Sequence, residues 1–325
     1  MNSSRTNRPA KTTSSGYAVY PLKSKGKNHF LFLVPALLCS FITVLCLCRN
    51  IYAAGVYAID NIDAALIGGI RSHTVQYRES LIELAVQYDV GFNEIVAANK
   101  KIDPWIPEKG TKILIPTSWL LPEGTDNGII INLAALRLYY FFKIDHQQYV
   151  TTFPIGIGRQ GFTTPEGSFE ITARVKDPVW TVPESVRNEK PELPSIIPPG
   201  PHNPLGKYWL QLSVNGYGIH GTNRPFGIGR KVSHGCIRLY QKDIEELYKL
   251  TKIGTPVKII KEPIQVRHYE NKIYLAVHSS DMDDSELLNL TVLKLSRKGL
   301  LKDVDTLLML DAILKSTGLP AQISK

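Results

Sequence analysis

Hydrophobic and polar positions follow several different rhythms along this chain, and each predicts a different kind of element. Residues 30–48 (FLFLVPALLCSFITVLCLC) run for 19 residues without a charge, about the minimum that spans a bilayer as a helix. Lysines precede the run and only Arg49 follows it closely. That excess of positive charge on the N-terminal side predicts a cytoplasmic N-terminus and an exported remainder. A cleaved signal sequence is the competing reading, with Tyr52, Ala53 and Ala54 offering small residues for a cut. Either way the chemistry is expected on the exported side of the membrane, anchored to it or released from it. Residues 1–29 are polar and basic and are expected to form a disordered cytoplasmic tail.

Residues 72–117 change rhythm. His73, Thr74 and Val75 suit a short strand, Ser80 is a good N-cap, and Leu81, Leu84, Ala85 and Tyr88 follow at helical spacing. A second short helix is expected from about Asn93, turning Ile95 and Val96 inward. Residues 112–115 (KILI) form a closing strand that Pro116 stops. From residue 127 the pattern becomes that of strands. Short β-branched or aromatic runs at 129–131, 137–142, 149–153, 167–173, 207–213, 218–220 and 256–260 are separated by turn residues. One helix is expected at 241–250, with Ile244, Leu247 and Tyr248 on one face. The prediction for 127–261 is a mainly β, mostly antiparallel domain with functional loops at its rim. Residues 262–325 are poorer in turn signals. Leu300, Val304, Leu307, Leu308 and Ile313 fall at near-helical spacing there, and the acidic stretch 281–286 reads as a solvated loop.

Composition sharpens this picture. At 325 residues, 43% hydrophobic and 21% charged, the chain can bury two domains and additional segments. The net charge of +9 suggests nucleic acid or membrane until it is located. No acidic residue precedes Asp60, whereas Arg5, Arg8, Lys11, Lys23, Lys25, Lys27 and Arg49 all do. Removing these seven leaves 31 basic against 29 acidic residues, so the remainder is nearly neutral and nucleic acid loses its support as a partner. Three of the four cysteines (Cys39, Cys46 and Cys48) lie in the apolar run, and only Cys236 lies beyond it. No internal disulfide framework is possible there. A lone exported thiol faces an oxidising compartment, which suggests a periplasmic thiol reductase as a partner.

The chemistry concentrates in residues 220–238, HGTNRPFGIGRKVSHGCIR. Cys236 beside His220 and His234 is a candidate nucleophile–base arrangement, because the thiolate attacks and the thiol hardly does. The glycines let backbone N–H groups approach a reacting carbonyl. Two competing readings fail on context. Residues 156–161 and 216–221 both match G-x-G-x-x-G, but Pro165 and Pro225 follow where a dinucleotide site needs a helix. His220, His234 and Cys236 could bind zinc, yet no CxxC, HxxxH or carboxylate cluster accompanies them, so no metal is expected.

HGTN at 220–223 followed by SHGCIR at 233–238 resembles the signature of the L,D-transpeptidases, the YkuD-type catalytic domain. PIGIGRQGFTTPEGSF at 154–169 and PPGPHNPLGKYWLQL at 198–212 agree with its ErfK/YbiS/YcfS/YnhG branch. The resemblance implies a β-sandwich-like catalytic domain over 127–261 and a C-terminal extension, 262–325, packed on it. It implies Cys236 as nucleophile, His220 as proton donor and acceptor, and the Gly221 carbonyl as orienter of His220. His234 and Gly235 would tune the thiol or form the oxyanion hole. Arg238, Ser233, Thr222 and Asn223 would meet the substrate, although Arg238 could equally brace the loop. The implied reaction is attack on the meso-diaminopimelate carbonyl of a tetrapeptide stem, release of D-alanine, and transfer of the thioester to an amine, without a cofactor. The amine would come from another stem, from the lysine of an outer-membrane lipoprotein, or from a free D-amino acid; a carbapenem should acylate Cys236. Water as acceptor would make the protein an L,D-carboxypeptidase, and a retired site would make it a non-catalytic peptidoglycan-binding protein. Separately, HTVQYRESLIELAVQYDV and EIVAANKKIDPWIPEKGTKILIP resemble a LysM domain, which implies binding to the N-acetylglucosamine-containing glycan strands of peptidoglycan.

Overall fold

The computed structural model describes residues 55–59, 66–124, 127–278 and 281–325. The expected basic tail and membrane-spanning helix lie outside them. Among the described residues no helix is long and apolar enough to cross a membrane.

Most of the described strands from 57 to 260 form one nine-stranded sheet. Its strands in chain order are β1 (Tyr57–Ile59), β2 (Gly128–Asn132), β3 (Arg137–Ile144), β4 (Gln147–Pro154), β5 (Gly167–Lys176), β6 (Tyr208–Leu212), β7 (Gly218–His220), β8 (Ile237–Arg238) and β9 (Pro256–Ile260). Across the sheet they lie in the order β1-β4-β3-β2-β9-β5-β6-β7-β8. Most neighbours are antiparallel; β9 with β2 and β7 with β8 are parallel. Separate sandwich layers are not what forms. β5 pairs with β9 along its first half and with β6 along its second, and its register shifts between Ile171 and Ala173. A bulge bends a strand and raises its twist, so here a single sheet curls over its own core. Ile129, Ile131, Leu138 and Phe153 from one arm meet Leu210, Ile219 and Ile237 from the other in that core. Helix α4 (Gln241–Leu250) closes it with Ile244 and Leu247.

Strands β2–β4 are buried on both faces, which explains why they read as continuous apolar runs. Ile130, Tyr139, Phe141 and Val150 point away from the curled core into a second one, shared with Val75, Leu81, Leu84, Ile95, Ile113 and Ile115. These belong to a small module: strand Arg71–Thr74, helix α1 (Leu81–Tyr88), helix α2 (Phe92–Ala98) and strand Lys112–Ile115. Ser80 caps α1 through a reciprocal capping box with Glu83. The two strands pair antiparallel, His73 opposite Ile113.

Residues 264–325 contain more regular structure than their sequence suggests. A hairpin of Ile264–Tyr269 and Lys272–Val277 turns at Glu270 and Asn271, both with positive φ, and Ala321–Gln322 adds a third short strand. Two helices cover this sheet, Asp284–Arg297 and Thr306–Lys315. The acidic stretch expected to be a loop instead starts the first of these, with Asp283 as N-cap in a capping box with Glu286. Asp281 pairs with Lys231 at 3.0 Å.

Candidate active site

The end of the curled sheet builds the site by simple alternation. In the parallel pair of β7 and β8, Ile219 lies beside Ile237 and His220 beside Arg238. Ile219 and Ile237 enter the core, so His220, Arg238 and Cys236 emerge on the opposite face. On the other side of β7, Trp209 of β6 pairs with His220. Its indole stacks on the imidazole, with centroids 5.5 Å apart and planes inclined at 26°. Gly218 leaves space for that indole: a Cβ there would lie 2.4 Å from Trp209 Cζ2.

His220 is 3% exposed. Its Nδ1 lies 2.6 Å from the Gly221 carbonyl oxygen, so Nδ1 carries the hydrogen of the neutral ring and Nε2 carries the lone pair. Burial, helped by the nearby Arg238 charge, pushes the imidazole down to about 3, against the pull of the Gly221 and Leu205 carbonyls. Gly221 also packs closely against α4. A Cβ there would sit 2.5 Å from Gln241 Oε1 and 3.1 Å from Ile244 Cγ2 on α4.

The Cys236 thiol donates to the Gly216 carbonyl at 3.6 Å. Burial raises it above its ordinary value of 9.0, while the Gly218 backbone and the Arg238 guanidinium act the other way. Both shifts favour uncharged partners. Burial thus favours a thiol beside a neutral imidazole.

The turn carrying Cys236 is locked by its neighbours. Ser233 Oγ donates to the Cys236 carbonyl at 2.6 Å and accepts the Gly235 N–H at 3.1 Å, while Thr164 Oγ1 donates to the Gly235 carbonyl at 2.8 Å. Gly235 has φ +108°, and a Cβ there would lie 2.7 Å from Tyr217 Cε1.

These contacts reassign several residues singled out from the sequence. Ser233 is wholly buried and holds the turn; it does not face a substrate. The Gly235 N–H is already bonded to Ser233, so it is no oxyanion donor in this geometry. His234 turns away from the thiol: its Nε2 lies 3.1 Å from Glu189 Oε2 and 3.2 Å from Arg159 Nη2, and Phe162 packs against its edge. Among the described residues it joins no cluster with His220 and Cys236 that could hold an ion. Thr222 is buried and accepts the Arg224 N–H at 3.0 Å. Asn223 is exposed and donates to the His202 carbonyl at 3.1 Å, tethering a neighbouring loop. Arg238 remains a candidate for substrate. Its Nε is buried without a partner, and among the described residues it makes no ion pair. The two G-x-G-x-x-G stretches lead into strands and turns, as their prolines predicted.

Trp209, Thr164 and Glu189 escaped the sequence reading. Only Trp209 carried a usable signal, as an aromatic in an alternating strand two positions from Gln211. Glu189 sits in the short helix α3 (Glu184–Glu189), on an excursion between β5 and β6 that sequence spacing does not connect to His234.

The curled β-domain with this cysteine–histidine edge defines a class that comparison with known proteins makes specific. Residues 126–259 match the YkuD family, the L,D-transpeptidase catalytic domain. Probable L,D-transpeptidase YcfS of Escherichia coli K12 is 35% identical over 253 residues, covering 74% of this chain and 78% of that protein. Probable L,D-transpeptidase YbiS of the same strain is 34% identical over 253 residues, covering 74% and 82%. Probable L,D-transpeptidase ErfK/SrfK, also of that strain, is 32% identical over 303 residues, covering 89% and 96%. The chain belongs to the L,D-transpeptidase family.

Proposed function

We propose that Cys236 and His220 carry out acyl transfer on peptidoglycan stem peptides. The observation that carries this reading is the register of β7 and β8, which brings both side chains to one face while Gly221 fixes the imidazole tautomer. His220 Nε2 removes the thiol proton as sulfur attacks the meso-diaminopimelate carbonyl of a tetrapeptide. The C–N bond to D-alanine then breaks, and the protonated imidazole returns its proton to the leaving amine. An incoming amine attacks the thioester, loses a proton to His220, and regenerates the thiol. Because both resting groups are neutral, proton transfer accompanies attack, and S–H must leave the Gly216 carbonyl first. Arg238, lacking a carboxylate of its own, binds a substrate carboxylate.

The module of residues 72–117 is read as LysM-like, holding glycan strands of the wall. Its exposed Tyr77, Trp105 and Ile106 suit stacking on sugar rings. The site works on the periplasmic side of the inner membrane.

The test is D-alanine release from a diaminopimelate tetrapeptide, with and without an acceptor amine. Cys236→Ala should abolish release and His220→Gln should reduce it by several orders of magnitude. Equal activity of Cys236→Ala and the native protein would remove this reading. Hydrolysed tripeptide as the sole product at saturating amine would make the enzyme a carboxypeptidase.

A further inference from the structure

Resting on the acyl-transfer reading, we propose that the module of residues 72–117 is a positioning part of the active site, acting on the loop that joins His220 to Cys236. A module that only tethers an enzyme to the wall has no need to touch that loop. This one is bonded into it. The backbone N–H of Phe92 donates to the Ile228 carbonyl and that of Asn93 to the Gly229 carbonyl, each at 3.2 Å. Gly229 has φ +76°, and a Cβ there would lie 2.2 Å from Phe92 N and 2.4 Å from Gly91 Cα. A Cβ on Gly91 would in turn lie 2.9 Å from Gly229 Cα. Two glycines thus meet with no room for a side chain on either. The same loop is held from its other side, where the Gly229 N–H donates to the Ile155 carbonyl at 3.0 Å.

Further contacts fix the module at this seam. Tyr240, four residues after Cys236, donates its hydroxyl to the Val90 carbonyl at 3.1 Å. Glu94 Oε2 accepts the Gly91 N–H at 3.0 Å and Arg137 Nη2 at 2.6 Å, and its Oε1 accepts Trp119 Nε1 at 2.6 Å. Phe92 packs on the exposed Trp105, with ring centroids 5.5 Å apart, and Arg230 of the loop lies 5.4 Å over the Phe92 ring. Glu94 is therefore a positioning residue for the Gly91–Gly229 contact. A path of touching groups leads from the module's exposed aromatic to the segment between base and nucleophile.

A soluble, glycan-free tetrapeptide separates positioning from tethering, because it offers the module no sugar to hold. Gly229→Ala and Glu94→Gln in the full chain should each lower kcat for D-alanine release by about tenfold or more, with KM within about twofold. Both should also change the rate at which iodoacetamide alkylates Cys236 at fixed pH. Glu94→Gln keeps the size but replaces one of the two accepting oxygens with an NH2 donor, so it serves if Gly229→Ala does not fold. Circular dichroism and a cooperative melt check the fold of each. Native kcat and alkylation rate in folded Glu94→Gln and Gly229→Ala would overturn the proposal and leave the module a tether. Failure of the acyl-transfer reading looks different, since the native protein and Cys236→Ala would then both release no D-alanine.

Discussion

The two segments flanking the curled sheet attach to it in opposite ways. The module of residues 72–117 shares its apolar core with the back of β2–β4, and its polar contacts to the sheet are largely buried. Residues 264–325 have a core of their own, in which Val266, Leu275, Leu287, Leu295 and Ile313 pack among themselves. Their polar links to the rest, such as Glu123 with Arg267 and Lys298, lie nearer to water. A shared core makes a segment part of the domain's cooperative unit, whereas a private core allows it to open separately. The difference teaches that chain order is a poor guide to which appendage matters for the site.

The largest expected effect comes from breaking the buried link. Arg137 is 1% exposed, bonds Glu94, and lies 4.1 Å over the Trp119 ring. Arg137→Ala leaves Glu94 without its charge partner and should cost about 3–5 kcal/mol, read as a lower denaturation midpoint for the module and the sheet together. Two separated transitions would instead make the module an independent unit.

Next comes Leu275→Ala, which empties part of the private core and should cost about 2–5 kcal/mol. Hydrogen exchange should rise across 264–325 while β7 and β8 keep their protection. Faster exchange at β7 would merge the two regions.

A smaller, pH-dependent effect distinguishes the seams. Asp243 on α4 is buried against Asp89, the residue that ends α1, and both have an oxygen without another partner. Burial, then the Asp89 charge, raises the Asp243 carboxyl well above its ordinary 3.8, with Lys242 opposing and Glu246 reinforcing. Tyr240 lies nearby as a neutral phenol, itself held high by burial. The folded state thus keeps a proton that the unfolded chain releases. Stability from this source is complete below 3.8 and is lost as pH rises towards the folded value. Asp243→Asn should flatten the fall of melting temperature on that alkaline side. An unchanged slope would rule out this pair as its origin.

The smallest effect belongs to the exposed seam. Glu123→Gln should change stability by no more than about 1 kcal/mol, and raised salt should mask most of that in a denaturant titration.

Much of this was legible in the sequence where local chemistry decides structure. Ser80 announced the start of α1, and residues 112–115 and 241–250 form the strand and helix their patterns predict, while SHGC marked the edge where Cys236 and His220 share a face. Contacts between distant segments were not legible. Nothing local tells that Gly235 is enclosed by Thr164 and Tyr217, that His234 faces Glu189, or that Gly229 meets Gly91. The hairpin at 264–277 was not read from the sequence, because Glu270 and Asn271 are weak turn signals. The curl of the sheet depends on a bulge at Ile171, which no propensity marks.

The hydrogen bond from the Cys236 thiol to the Gly216 carbonyl has a consequence for survival. Peroxide and disulfides react with ionised sulfur, so a cysteine that keeps its proton between turnovers is slow to climb the oxidation ladder. Cys236 is the one cysteine among the described residues, so this protonated resting form shields the thiol on which the proposed acyl transfer depends.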